Sequence, residues 1–371
     1  MDSLSADLVC RIFVRPELSL SLTKKQWQQL ILILRNQQLL ARYSALFKQA
    51  GLFDSIPKQT QRHFLNADVL ANNHKKQVLF EALELKHEVE GRQQYLIFLK
   101  GAGYSLSNSS IGQTRIYNDI DILTDKKSID GIEKKLTLYG WQSEELTEHD
   151  EKYYRKWAHE IPPLRHGIRG TVVDIHHNIV PIISGRHIDA DQFAKHSVIT
   201  KDGFQILSYA AMTMHSLIHL FFNEDVKKGY RDLIDIHTLM TDHSDDEYWE
   251  ELINLARESG FELELFLACR YSEKFFATKI PAKVTKHIAV NRPWNMKYLD
   301  FIYKRVLKPN HPICRPNMFG LATFLILLRG HFQKMPLHIL IFHLTTKSFI
   351  GMTQALLGKH FFTKELEQDQ P

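Results

Sequence analysis

The sequence predicts an α/β protein of the α+β kind: a small mixed β-sheet set between helical regions on its N-terminal and C-terminal sides. Three observations carry this. Apolar residues recur at helical spacing up to about residue 91, short apolar runs bounded by glycine and polar residues replace them between about 92 and 200, and helical spacing returns from about 204. On that basis the chain divides into a helical region at 1–91, a sheet-bearing core at 92–200 and a second helical region at 201–371.

In the first region, Thr23 followed by Gln26 is a capping-box signature, and Trp27, Leu30, Ile31 and Leu34 then recur on one face. Gly51 and Pro57 punctuate the pattern. A helix over about 66–91 comes next, carrying Leu70, Val78, Leu79, Leu83 and Leu85 among charged residues. In the middle region the runs 95–99, 116–123 and 170–176 read as strands. Between the latter two, Asp125 or Ser128 can cap a helix whose apolar face is Ile129, Ile132 and Leu136, with Gly140 at its end. The stretch 147–169, with Pro162-Pro163 and many charges, reads as a long excursion or a poorly formed hairpin. Beyond it, helices are expected over 206–222, 227–240, 246–259 and 262–278, and Pro309, Pro312, Pro316 and Pro336 cut the C-terminal stretch into short pieces.

Bulk properties narrow the class. With 371 residues, 44% hydrophobic and 11% aromatic, the chain can bury a substantial core. A formal charge of +5 from 47 basic and 42 acidic residues does not demand a nucleic-acid partner, so small substrates stay open. Cys10, Cys269 and Cys314 are odd in number and far apart, which argues against a disulfide framework or a clustered cysteine-zinc site. With acidic residues near the N-terminus where a secretory signal needs basic ones, the reading is a cytoplasmic protein. The most apolar run, Phe319 to Leu328, falls short of a bilayer span of about twenty residues. The basic and apolar segment from Leu327 through Pro336 to Leu344 fits either peripheral contact with anionic lipid or helix packing.

Three carboxylates form the candidate site. Successive side chains on a strand face opposite ways, so Asp119 and Asp121 share a face while Ile120 and Ile122 point into the core. Asp174 interrupts an otherwise apolar strand, and a buried carboxylate without a partner is costly. If the two strands are neighbours, the three acids can hold divalent magnesium or manganese through oxygen ligands. An Asp-x-Asp alone is common on solvated strands; Asp174 and a glycine-rich turn add the weight. That turn, Lys100-Gly101-Ala102-Gly103, lets backbone amides approach phosphate, with Lys100 and Ser105 as further contacts. An ordinary strand-to-helix turn is the bland alternative. Arg115 either contacts phosphate or makes a salt bridge. His176 shares the face of Asp174 and can orient a carboxylate. His215 and His219, one helical turn apart on an apolar helix, read as partly buried histidines, and Arg231 with Asp235 as an exposed ion pair.

Around Leu99-Lys100-Gly101, Arg115-x3-Asp119-Ile120-Asp121-Ile122-Leu123, Val173-Asp174-Ile175-His176, Met214 to Leu220 and Arg231 to Asp235, the chain resembles the DNA polymerase beta-like nucleotidyltransferase superfamily. More closely it resembles an uncharacterised bacterial nucleotidyltransferase family often found beside genes for cell-surface polysaccharides or peptide natural products. The resemblance implies magnesium-dependent transfer of a nucleoside monophosphate from a nucleoside triphosphate such as ATP to a small-molecule, glycan or peptide acceptor. It also implies that Asp119, Asp121 and Asp174 are the metal ligands. The chain departs from the superfamily at the triphosphate turn, where Lys100-Gly101 stands in place of Gly-Ser and farther from the carboxylate pair. A nucleotide- or partner-binding module without turnover is the competing expectation.

Overall fold

The computed structural model describes residues 3–143, 148–186, 188–341, 345, 352 and 353. In chain order its helices and strands are α1 (Ala6–Val14), α2 (Lys24–Asn36), α3 (Leu40–Gln49), α4 (Lys58–Val89), β1 (Leu96–Phe98), α5 (Lys100–Leu106), β2 (Ile120–Thr124), α6 (Ile129–Leu138), β3 (Trp141–Ser143), α7 (Glu148–Lys156), β4 (Leu164–His166) and β5 (Val172–His176). After these come α8 (Ala190–Ala194), β6 (Ser197–Ile199), β7 (Gln205–Leu207), α9 (Tyr209–Phe222), α10 (Gly229–Asp242), α11 (Asp246–Ser259), α12 (Glu262–Phe276), α13 (Ala282–Ile288), α14 (Met296–Val306) and α15 (Phe319–Lys334).

Local chemistry accounts for the helix boundaries. The Thr23 hydroxyl accepts the Gln26 N–H at 3.3 Å while the Gln26 side chain accepts the Thr23 N–H at 3.0 Å, a complete capping box at the head of α2. Gly51, at φ +67°, turns the chain after α3, and Pro57 opens α4, which therefore starts earlier than its hydrophobic pattern suggests. The buried face of α4 also differs from expectation. Val78 and Leu85 are buried, but so are Phe64 and the small residues Ala67, Ala71 and Ala82, whereas Leu70, Leu79 and Leu83 face solvent. Small side chains let α3 and α4 approach closely, and one apolar stripe does not fit both halves of so long a helix.

The strands form one mixed sheet of seven in the order β3-β4-β5-β2-β1-β7-β6. At its centre β2 runs antiparallel to β1 and parallel to β5, and β1 runs parallel to β7. The sheet is wider than the three strands legible in the sequence, because β3, β4, β6 and β7 span only three residues each. The stretch 147–169 resolves into α7 and β4, with residues 144–147 outside the described set. Ile97, Ile122, Leu123, Val173 and Ile175 are fully buried, and the apolar core they belong to is continuous from Leu4 to Ile326.

Two buried carboxylates on α4 tie that helix to the sheet. Glu81 accepts from Arg169 Nε at 2.9 Å and Thr171 Oγ1 at 2.6 Å, and Glu88 accepts from the Trp141 indole N–H at 2.7 Å. On α15, Phe324, Leu327, Leu328 and Phe332 are exposed, but two basic residues of the segment turn inward. Arg329 donates to the Phe221 carbonyl at 2.7 Å, and Lys334 pairs with Glu224 at 2.6 Å. No helix among the described residues is long and apolar enough to cross a membrane, and residues 342–344 lie outside them.

Candidate active site

Parallel pairing of β2 with β5 aligns Asp121 directly with Asp174, and Ile122 with Ile175. Register partners on neighbouring strands present their side chains on the same face. The two carboxylates therefore stand side by side above the sheet, with the isoleucines in the core beneath. Asp119 lies one residue before β2 and on the rim, two residues from Asp121.

Among the described residues, one lysine pairs with these acids. Lys100 Nζ donates to Asp121 Oδ1 at 2.5 Å, and His176 Nε2 lies 3.0 Å from the same oxygen. Lys100 is the first residue of α5 and adopts φ +41°, a left-handed backbone that costs a non-glycine residue about 1–2 kcal/mol. The bend is anchored by the Leu99 N–H donating to the Asp121 carbonyl at 2.9 Å.

Electrostatics separate the three acids. Burial works against the Asp121 charge, but the Lys100 ammonium and the His176 hydrogen bond outweigh it and hold the carboxyl far below the usual range. Burial also disfavours the charge on Lys100, yet Asp121 raises it well above an ordinary lysine. Asp174 has no such partner among the described residues. Burial, followed by the nearby Asp121 and Glu160 charges, pushes it up to about 7, and its Oδ1 is buried without a hydrogen-bond partner. Asp119 is raised as well, by the cleft walls and then by Asp121. Three acids sharing one ammonium are short of positive charge, and the donor set is all oxygen, so these residues fit a magnesium or manganese ion.

The remaining predicted residues are arranged by packing. Gly101 and Gly103 lie inside α5 and are buried. A Cβ on Gly101 would fall 2.2 Å from the Tyr117 ring, and one on Gly103 would fall 2.8 Å from the Phe98 carbonyl oxygen. Ser105 is buried, with its hydroxyl 2.6 Å from Tyr117 Oη. The glycines thus make room for a ring and a strand, and the serine hydroxyl faces into the core. Gly101→Ala is accordingly expected to cost about 1–3 kcal/mol of stability through overpacking, and Gly101→Ala with Tyr117→Leu to cost less than the sum of the two single changes. Urea unfolding of the four proteins checks this; additive losses would show that Tyr117 is not the reason for the glycine.

Arg115 does not reach the carboxylates of β2. It pairs with Asp235 and stands 3.7 Å from Asp232, both on α10. Arg231 pairs with the adjacent Asp232 at 3.0 Å, while Asp235 also faces Arg42 at 3.7 Å. The exposed Arg231–Asp235 pair expected from spacing is replaced by a buried network, because α10 turns both acids toward the loop before β2. His215 is buried on α9, and His219 lines the cleft beside Ser216; desolvation, and next the Lys100 charge, hold both imidazoles below their ordinary value, His219 at about 4.

A cleft of about 180 Å³ runs from Lys100, Gly101, Asp119 and Asp121 past Arg115 to Arg231 and Asp232; two of the three acids line it, and Asp174 does not. A hollow of about 600 Å³ near Tyr209, His243 and Glu251 contains none of the three acids. With the geometry in place, comparison with known proteins is decisive: a family described as uncharacterised nucleotidyltransferase matches residues 23–277. The chain belongs to that family. It is thereby an enzyme of nucleotidyl transfer, and the matched span contains the whole seven-stranded sheet and α2 to α12. No curated protein and no solved structure matches it.

Two side chains near the nucleotidyltransferase's acids escape a reading of the sequence. His159 and Glu160 lie beyond the end of α7, and Glu160 Oε2 lies 3.4 Å from His176 Nε2. Their segment has no periodicity of its own, so only pairing with β5 brings them there.

Proposed function

We propose that the enzyme transfers a nucleoside monophosphate from a nucleoside triphosphate to a hydroxyl or phosphate of its acceptor, with Asp119, Asp121 and Asp174 holding magnesium or manganese. The observation that carries this reading is the register pairing of Asp121 with an Asp174 whose buried carboxylate oxygen has no partner. A divalent ion held by these carboxylates would neutralise phosphate charge, favour loss of pyrophosphate and make an acceptor hydroxyl more acidic.

The chain's own groups do the rest. Lys100, fixed on the strained first residue of α5, presents a permanent positive charge at the inner end of the cleft, where a triphosphate oxygen can replace part of its bond to Asp121. Asp174, as a ligand of that ion, would help activate the acceptor hydroxyl through it. Arg231 marks the outer end, its charge balanced by Asp232. At about 180 Å³ the cleft is smaller than a typical ligand pocket of about 300–1,000 Å³, so it encloses the phosphates and leaves the base toward its mouth.

The test is incubation of purified protein with labelled nucleoside triphosphates, magnesium or manganese, and a cell extract. Pyrophosphate release with label on a new species is the expected result. Nucleotide binding without release would instead support a binding module, and movement of the terminal phosphate alone would indicate a phosphotransferase.

A further inference from the structure

We infer that His159, Glu160 and His176 form a second cation site, beside the carboxylate trio, suited to a zinc-class transition metal rather than to magnesium. The ligand atoms these three side chains offer all lie within 4.8 Å of one another. Glu160 Oε2 is 3.4 Å from His176 Nε2 and 3.9 Å from His159 Nε2, and the imidazole centroids are 5.3 Å apart. Zinc bonds of about 2.0–2.1 Å set neighbouring tetrahedral donors about 3.3–3.4 Å apart. The Glu160–His176 edge already has that length, and the other edges need to close by about 1.5 Å at most.

Backbone pairing holds the three together. Glu160 forms an isolated antiparallel bridge with His176, the Ile161 N–H donates to the Ile175 carbonyl at 3.1 Å, and the His177 N–H donates to the His159 carbonyl at 2.8 Å. The donors thus sit on a segment clamped to a central strand, not on a free loop.

Donor chemistry selects the metal. Imidazole nitrogens suit zinc, cobalt and iron, while magnesium prefers oxygen and retains its water. Two histidines and one glutamate leave a coordination position open, as in catalytic rather than structural zinc sites. His176 Nε2 lies between Glu160 Oε2 and Asp121 Oδ1, at 3.4 and 3.0 Å, so a cation bound by Glu160 and His176 would sit against Asp121. The site adjoins Asp121 but stands on its own donors, and it does not depend on the transfer reaction proposed above.

The experiment uses the full chain and the metal alone: titration with cobalt(II), without nucleotide or magnesium, monitored by visible absorption. One equivalent is expected to produce the intense bands of a four- or five-coordinate site, which zinc displaces and excess magnesium does not. His159→Ala should remove those bands with circular dichroism unchanged, and Glu160→Gln should weaken them, while Asp119→Asn retains them. Absence of bands in the wild-type protein would overturn the inference. So would bands that survive His159→Ala but vanish in Asp119→Asn, since the cobalt would then sit among the three aspartates. Cobalt binding in a protein that releases no pyrophosphate would leave this site standing and remove the proposed activity.

Discussion

Asp174→Asn is expected to make the metal-free protein more stable while reducing nucleotidyl transfer by about a thousandfold or more. The activity loss arises from removing one of three charges proposed to hold the cation; about 4 kcal/mol of lost transition-state stabilisation is a factor of about 10³. The gain in stability arises from the folded-state cost of the same charge. Asp174 is pushed up to about 7 from an ordinary 3.8, so the unfolded chain ionises it more readily than the folded one does. That penalty is fully present above the folded value, shrinks as the pH falls toward the unfolded value, and is absent below it. Asparagine carries no charge in either state, so its advantage should be about 2–4 kcal/mol near pH 8 and should disappear by about pH 4. Urea unfolding of both proteins across that range, without divalent ions, measures it. A variant less stable than wild type at high pH would contradict the description of Asp174 as an acid lacking a partner.

Asp121→Asn should abolish transfer to a similar degree but shift stability the other way. Its carboxylate pairs with Lys100 at 2.5 Å and with His176 at 3.0 Å, and it is buried. Its pKa is depressed in the folded state, so it contributes stability that is fully present above the usual carboxylate range, begins to fall there, and is lost only as the pH drops on toward the depressed folded value. Removing that charge takes away the direct ion-pair partner of Lys100 and leaves it only the more distant Glu160 and Asp119, a loss of about 2–4 kcal/mol, below the full cost for a closed interior because Lys100 is partly exposed. Adding Lys100→Met to Asp121→Asn should restore part of that stability without restoring activity. Thermal unfolding and the pyrophosphate assay together decide it. If Asp121→Asn and Asp174→Asn move stability in the same direction, the asymmetry between the two acids is wrong.

That asymmetry could not be read from the chain. The alternation of acid and isoleucine at 119–123 and the lone acid in Val172-Val173-Asp174-Ile175 made the acids and their strand faces legible, because a strand's period of two is a local property. Which acid holds the lysine is a long-range fact, decided by the backbone bend at Lys100 and the contact from α5 to β2. Amphipathic helices with strong caps were equally legible: Asp246–Ser259 begins on an Asp245 side chain that accepts the Tyr248 N–H, as its spacing suggests. The three-residue strands left no periodic trace, and β7 was absorbed into the apolar run that leads into α9. Gly101 and Gly103 carried a true signal with two physical causes, phosphate approach or close packing; the positions of Tyr117 and Phe98 account for the packing, and Gly101 also lines the cleft. His159 and Glu160 acquire meaning from one bridge to β5, which leaves no mark in the chain's composition.

The claim beneath all of this is that three aspartates share too little positive charge and that a divalent ion supplies the rest. The most direct measurement is the unfolding midpoint of the wild-type protein and of Asp174→Asn at about pH 8 as magnesium is added, since a ligand present at about 100 times its dissociation constant stabilises the folded state by about 2.7 kcal/mol. The account predicts a rising midpoint for the wild-type protein and little or no rise for Asp174→Asn, which starts higher. Equal magnesium responses in the two proteins, or none in the wild type, would contradict it.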